Sequence, residues 1–202
     1  MEDVNENSDY YGETISPLFF PNEITIHYFG KQTWGLCTTR VGDLNDIYEN
    51  LTSSGILNVK IITIGKEEYS SGVGSWVNSN LPMLVDNSPY EAWTNWDASI
   101  RDVYFLNPNG TLFDSYNISA SSAVDQIQGT IDAMLAQLEV CAAGDIDTNG
   151  SYNVLDIVAL ADCIILASCD GCAGDLDGNG SYNVLDITAL ADCILSATCD
   201  SL

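Results

Sequence analysis

DIDTNGSYNVLD (Asp145–Asp156) and DLDGNGSYNVLD (Asp175–Asp186) are two nearly identical stretches, thirty residues apart, near the C-terminus. Each places oxygen-bearing side chains at loop positions 1, 3, 5, 9 and 12, with Gly150 or Gly180 at position 6. That is the layout of a calcium loop: hard oxygen donors at alternating positions, a glycine for the sharp turn and a carboxylate closing the site. Calcium takes about six to eight oxygens, and alternation in a tight loop turns them all inward. Apolar residues then recur at helical period. Val154, Leu155, Val158, Leu160, Ala161 and Ile164 mark one helix, and Val184, Leu185, Leu190, Ala191 and Ile194 the other. Neither could bury its stripe alone, so the two are expected to pack as a pseudo-symmetric pair. Their stability should be linked to calcium, because an empty ring of carboxylates repels itself.

The pair resembles a dockerin domain, the calcium-dependent docking module of secreted bacterial assemblies, over roughly Gly144 to Asp200. The resemblance implies a small all-α domain holding two calcium ions. Its first site would use Asp145, Asp147, Asn149, the Ser151 carbonyl, Asn153 and Asp156. The second would use Asp175, Asp177, Asn179, the Ser181 carbonyl, Asn183 and Asp186. Loop positions 10 and 11 depart from the cellulosomal pattern, being Val-Leu in both repeats where hydroxyl residues are usual. The basic pair expected later is replaced by Ala161-Asp162 and Ala191-Asp192. The ion chemistry therefore transfers, whereas partnership with a typical cohesin does not. Another protein partner and a neighbouring copy of this chain stay equally open.

Composition sets the outer bounds. The 202 residues suffice for one medium and one small domain. With 29 acids against 5 bases the formal charge is −24, which excludes nucleic acid as a partner and disfavours anionic membranes. Two calcium ions would offset only about +4 of it. No run approaches the roughly 20 apolar residues of a membrane span. Met1 is followed by acids, and Ile15–Phe20 is too short for a signal-peptide core, so a leader has been removed or export uses another route. An extracellular or cell-surface location is expected, since cytosolic calcium is too low for most such sites.

Cysteine usage points the same way. Cys141, Cys163, Cys169, Cys172, Cys193 and Cys199 all lie in or beside the repeats and read as a disulfide framework for a module with a thin core. Sequence cannot choose their pairing. The Cys169–Cys172 spacing reads as structural, and zinc is disfavoured because no histidine accompanies the thiols.

Three regions follow: a tail (1–22), an α/β domain (23–140) and the repeats (141–202). In the second, Glu23–Phe29 alternates as a strand and Leu44–Leu51 carries helix spacing. Asn58–Ile64 is a continuous β-branched run suited to a buried parallel strand. A short helix, a strand at Met83–Val85 and a helical insert come next. Ile100–Leu106 and Thr111–Tyr116 then flank the turn signal Asn107-Pro108-Asn109-Gly110, and a long helix runs from Ser121 to about Val140.

That order resembles a thioredoxin fold, with a mixed central sheet and flanking helices. Leu81-Pro82 falls at the place of the family's cis-proline, and spacings from Trp34 to Gly55 resemble the N-terminal domain of selenoprotein P. The redox motif is broken. Trp34-Gly35-Leu36-Cys37 stands where CxxC would be, so Cys37 corresponds to the second, usually buried thiol. Exchange needs an accessible thiolate and a resolving partner. The reading is a redox-inactive domain, not an enzyme, tethered through its dockerin-like module to a protein partner. Two alternatives are a structural subunit of an extracellular fibre or surface layer, linked head to tail by the apolar tail, and a thiol oxidoreductase acting through Cys37. Asn50, Asn109 and Asn117 are candidate glycan acceptors; the sequons at Asn149 and Asn179 coincide with the calcium loops. Tyr90, Trp93 and Trp96 would either lid the sheet or form a carbohydrate-stacking platform, with packing favoured.

Overall fold

A computed structural model of the chain describes residues 1–76, 78–140, 143–147, 149–166, 168–169 and 172–199. Two compact units emerge, Met1–Ile131 and Asp132–Leu202.

The first unit is built on five strands: β1 (Ile24–Phe29), β2 (Val59–Lys66), β3 (Met83–Asp86), β4 (Asp102–Leu106) and β5 (Leu112–Asn117). Their order is β3-β2-β1-β4-β5. The three apolar strands run parallel, Ile26 facing Ile61 and Thr63 facing Met83, whereas β4 and β5 are antiparallel. All six residues of β1 are buried, as a parallel strand covered on both faces requires. This is the mixed sheet that the thioredoxin resemblance implies. Around it lie α1 (Gly35–Ser53), α2 (Glu91–Asn95) and the start of α3 (Ser121–Val140). Helix α1 begins well before the expected Leu44: Cys37 and Val41 carry its buried stripe back by two turns, interleaved with threonines, glycines and Arg40 that dilute the pattern.

Two expectations are corrected. Among the described residues no short helix lies between β2 and β3; turns and bends occupy the interval, which holds Gly72 and Gly74, the latter at φ +63°. Among the described residues the cis peptide is Ser88–Pro89, not Leu81–Pro82. The Pro82 carbonyl instead accepts the Thr63 amide (2.9 Å) and hydroxyl (3.0 Å), tying the approach to β3 onto β2.

The tail folds onto its own sheet. Asp3 pairs antiparallel with Leu84, the Val4 amide donates to the Met83 carbonyl at 2.9 Å, and the Asp3 carboxylate accepts the Met83 amide at 2.8 Å. Ile15 and Phe20 are buried with Phe29, Ile62, Ile64, Leu84 and Trp93. The apolar strip that a head-to-tail fibre would lend to a neighbour is thus already in use.

The second unit carries α4 (Val154–Leu166), a short 3-10 turn (Cys172–Gly174) and α5 (Val184–Ser196). Leu160 and Leu190 are fully buried between the repeats, with Ile157, Ile164, Ile187 and Ile194 packed round them. Disulfides join Cys163 to Cys169 and Cys193 to Cys199. Cys141 and the side chain of Cys172 lie outside the described residues. No described helix is long and apolar enough to cross a membrane.

Candidate functional site

Cys37 sits in the first turn of α1 and is a free, fully buried thiol. A helix start concentrates unpaired backbone N–H groups and the positive end of the dipole. Trp34 precedes the helix without making a side-chain cap, and its carbonyl takes the Thr38 amide at 3.0 Å. Both Trp34 and Leu36 are substantially exposed, so the burial of Cys37 is local.

A second positive group meets the thiol. Arg101 Nη1 donates to Cys37 Sγ at 3.9 Å, while its Nε donates to Ser119 Oγ at 2.8 Å. Asn117 accepts from both the amide and hydroxyl of Ser119 and donates to the Ile100 carbonyl and to Asp102. The Arg101 backbone is left-handed at φ +75°, a conformation that costs a non-glycine residue about 1–3 kcal/mol. Two bonds hold it there: its amide to the Phe29 carbonyl (2.7 Å), and its carbonyl to the Ile118 amide (2.8 Å). Strain sustained by the surrounding fold is characteristic of positions with a task.

Tyr28 completes the surroundings. Its ring is fully buried and its hydroxyl makes no hydrogen bond of full geometry. Burial pushes the phenol pKa well up and the Cys37 thiol beside it pushes it further, while Arg101 and Arg40 pull it down. Trp76 packs on the Tyr28 ring at 6.0 Å between centroids, and its Nε1 is likewise buried without a partner. The neighbouring Ser75 hydroxyl bonds Thr38 of α1 at 2.6 Å, so this loop is fastened to the same end of the helix. Sequence reasoning found Cys37 but missed Tyr28 and Arg101. The one available signal was scarcity: Arg101 is one of five bases in the whole chain.

The twin loops form the other cluster. Carboxylate oxygens of Asp145, Asp147 and Asp156 lie within 4.8 Å of one another, and those of Asp175, Asp177 and Asp186 do the same. Asp156 and Asp186 are fully buried. Asp156 accepts the amides of Ile146 (2.9 Å), Asp147 (3.3 Å) and Asn153 (2.8 Å), which orients it across the loop. Asp186 repeats this with Leu176 (2.9 Å), Asp177 (3.3 Å) and Asn183 (2.8 Å). Asp145 is held by the amides of Asn149 and Gly150, and Asp175 by those of Asn179 and Gly180. Gly150 and Gly180 adopt φ of +78° and +79°, the sharp turn that position 6 demands. Asn149 donates to Asp147 and Asn153 to the Ser151 carbonyl; Asn179 and Asn183 mirror them on Asp177 and Ser181. No Lys, Arg or His follows Arg101 in the sequence. Two buried carboxylates with no cationic side chain in their half of the chain, ringed by oxygen donors, fit a hard divalent cation.

The remaining candidates sort by contact. Trp93 packs edge-on to Phe29, and Trp96 against His27, Phe29 and Tyr104, so the insert lids the sheet. Asn50, Asn109 and Asn117 are exposed, Asn109 in the β4–β5 turn. The Asn117 amide is committed on both sides to the Arg101 support.

No protein-family model matches the chain and no curated protein matches it. Solved structures do. Peroxiredoxin Q of Xanthomonas campestris is 14% identical over 60% of this chain and 86% of its own, with a TM-score of 0.51. StoA of Bacillus subtilis is 17% identical over 62% of this chain and 93% of its own, at 0.47. A secreted disulfide oxidoreductase of Mycobacterium tuberculosis, homologous to E. coli DsbE, is 14% identical over 60% and 90%, at 0.45. The expectation of a redox-inactive tether that is no enzyme is corrected by this comparison, since a peroxiredoxin, at a TM-score of 0.51, is among the similar structures. At these identities the likeness itself concerns architecture, and the N-terminal unit has a thioredoxin-like fold.

Proposed function

We propose that the N-terminal unit is a thiol oxidoreductase working through one thiol, Cys37. The observation that carries the reading is the placement of that thiol at a helix start, 3.9 Å from the strained Arg101 and beside the unpartnered Tyr28 hydroxyl. The guanidinium sets a positive charge against the sulfur, and the buried phenol lies beside it. In the forward step the Cys37 thiolate attacks one sulfur of a substrate disulfide. A Cys37–substrate disulfide forms, the substrate S–S bond breaks and the other sulfur leaves as a thiolate. Because Trp34 occupies the place of the motif's first, attacking thiol, Cys37 has no second thiol to resolve against, and an external thiol completes the cycle by attacking the mixed disulfide and releasing Cys37. The buried sulfur becomes reachable by a local opening at this helix end, where Ser75 and Trp76 cover Thr38 and Tyr28.

The reading extends to the C-terminal unit as a calcium-folded, dockerin-like module. Its oxygen donors are those of the two loops, and the ions would supply the positive charge that its own side chains lack. Calcium loops and the disulfides Cys163–Cys169 and Cys193–Cys199 in one small unit suit an oxidising, extracellular setting.

The test is mass spectrometry of the native protein after exposure to a small disulfide, with calcium present. A single adduct on Cys37, absent from Cys37→Ser and released by added thiol, is the expected result. Adduct formation only after denaturation would overturn the reading.

A further inference from the structure

With 29 acids available, nearly every base in this chain should find a carboxylate. Three do: Arg40 pairs with Asp43 at 2.8 Å, Lys60 with Glu23 at 3.3 Å and Lys66 with Glu68 at 3.6 Å. Among the described residues the other two have no such partner. Arg101 is turned to Cys37. Lys31 is held over two aromatic rings, 4.2 Å from the centroid of Trp34 and 4.6 Å from that of Tyr69. Trp34 is 45% exposed and lies three residues before the thiol. Tyr69 feels the thiol as well, since Cys37 is among the groups that raise its pKa after burial and Glu68. One ammonium outside any salt bridge is therefore braced on an exposed indole three residues before Cys37.

Building on the thiol reading above, we infer that Lys31 and Trp34 select the substrate: a small disulfide bearing a carboxylate a few bonds from its reacting sulfur. The indole offers a flat face to the carbon skeleton and Lys31 a charge for the carboxylate. The overall charge of −24 argues against any anionic substrate, but distance decides the outcome. Charges beyond about 8 Å are largely screened at physiological ionic strength, whereas Lys31 would meet at contact range a carboxylate laid on the Trp34 indole. Lysine held by cation–π contact, not by a salt bridge, keeps its charge free for an incoming anion.

Three disulfide probes test this in the full-length, calcium-loaded protein: dianionic dithiobis(nitrobenzoate), neutral dithiodipyridine and dicationic cystamine. Rates of Cys37 modification are compared between wild type, Lys31→Met and Lys31→Arg, each probe against itself. Lys31→Met should slow the dianion about three- to tenfold, leave the neutral probe unchanged and speed the dication, with Lys31→Arg restoring the wild-type order. Added salt should shrink the wild-type preference. Equal effects of Lys31→Met on all three probes, or none on the dianion, would overturn the inference while leaving the thiol reading standing. Failure of every probe to modify native Cys37 would remove both.

Discussion

Arg101 Nη1 reaches the sulfur of Cys37 at 3.9 Å across sixty-four positions of sequence. The contact exists because β4 pairs antiparallel with β1, and because the Phe29 carbonyl pins the Arg101 amide at the end of β1 from which the chain leads into α1. Arg101→Met should keep the side-chain length and remove the charge. The expected outcome is a roughly tenfold slower reaction of Cys37 with iodoacetamide at neutral pH, measured by loss of free thiol. An unchanged rate would show that the guanidinium has no electrostatic role at the sulfur.

Tyr28 separates stability from reactivity. Its buried hydroxyl is a desolvated polar group without a good partner, so Tyr28→Phe should leave thermal stability unchanged or raise it by about 1 kcal/mol. The same substitution should slow disulfide exchange at Cys37 several-fold. Loss of both together would make Tyr28 merely structural.

His27 sets an acid limit for the first unit. It is buried, hydrogen-bonded to Thr25 Oγ1 at 3.0 Å and tilted against Trp96, and burial pushes its pKa down to about 3. The unfolded chain, titrating near pH 6.5, binds this proton first, so stability is full above that value and falls as pH drops toward 3. The loss is on the order of a few kcal/mol at the acid end. All four tryptophans lie in the first unit, so their fluorescence reports its unfolding alone. Urea midpoints followed this way should decline more steeply between pH 6 and 4 in wild type than in His27→Gln; parallel curves would refute the assignment.

Calcium removal should act on the other unit. Chelation is expected to lower helical circular dichroism while tryptophan emission stays constant, and titration calorimetry should count two ions. Asp156→Asn and Asp186→Asn should each cost one site, since each removes the buried carboxylate of its loop. Full helicity in chelator, with no heat of binding, would dismiss the calcium reading.

Much of the architecture was readable in advance where pattern and burial agree. The β-branched run around Ile61 and the alternation through Ile26 name buried strands, because no other element satisfies so continuous an apolar stretch of that length. The two acidic clusters were legible because the spacing of their carboxylates is itself a sequence property. What escaped was long-range. Nothing near Arg101 or Tyr28 announces that they converge on Cys37, since that depends on strand order. The Gly72–Gly74 region carried no period, so the helix expected there had no support beyond the family resemblance. Taking Trp34 for a lost thiol led to the redox-inactive reading and drew attention away from Arg101, the charge that meets the thiol that stayed.

The pairing of Asp3 with Leu84 has a bearing on self-association. An uncovered strand margin offers a template for another chain, and here the β3 margin is occupied by the protein's own first residues. That leaves Leu112–Asn117 as the other border, where Asp114 is exposed and the ladder slips register between Phe105 and Leu106. A charge and an irregularity on the open side, with a plug on the other, make lateral growth into ribbons unfavourable from both directions.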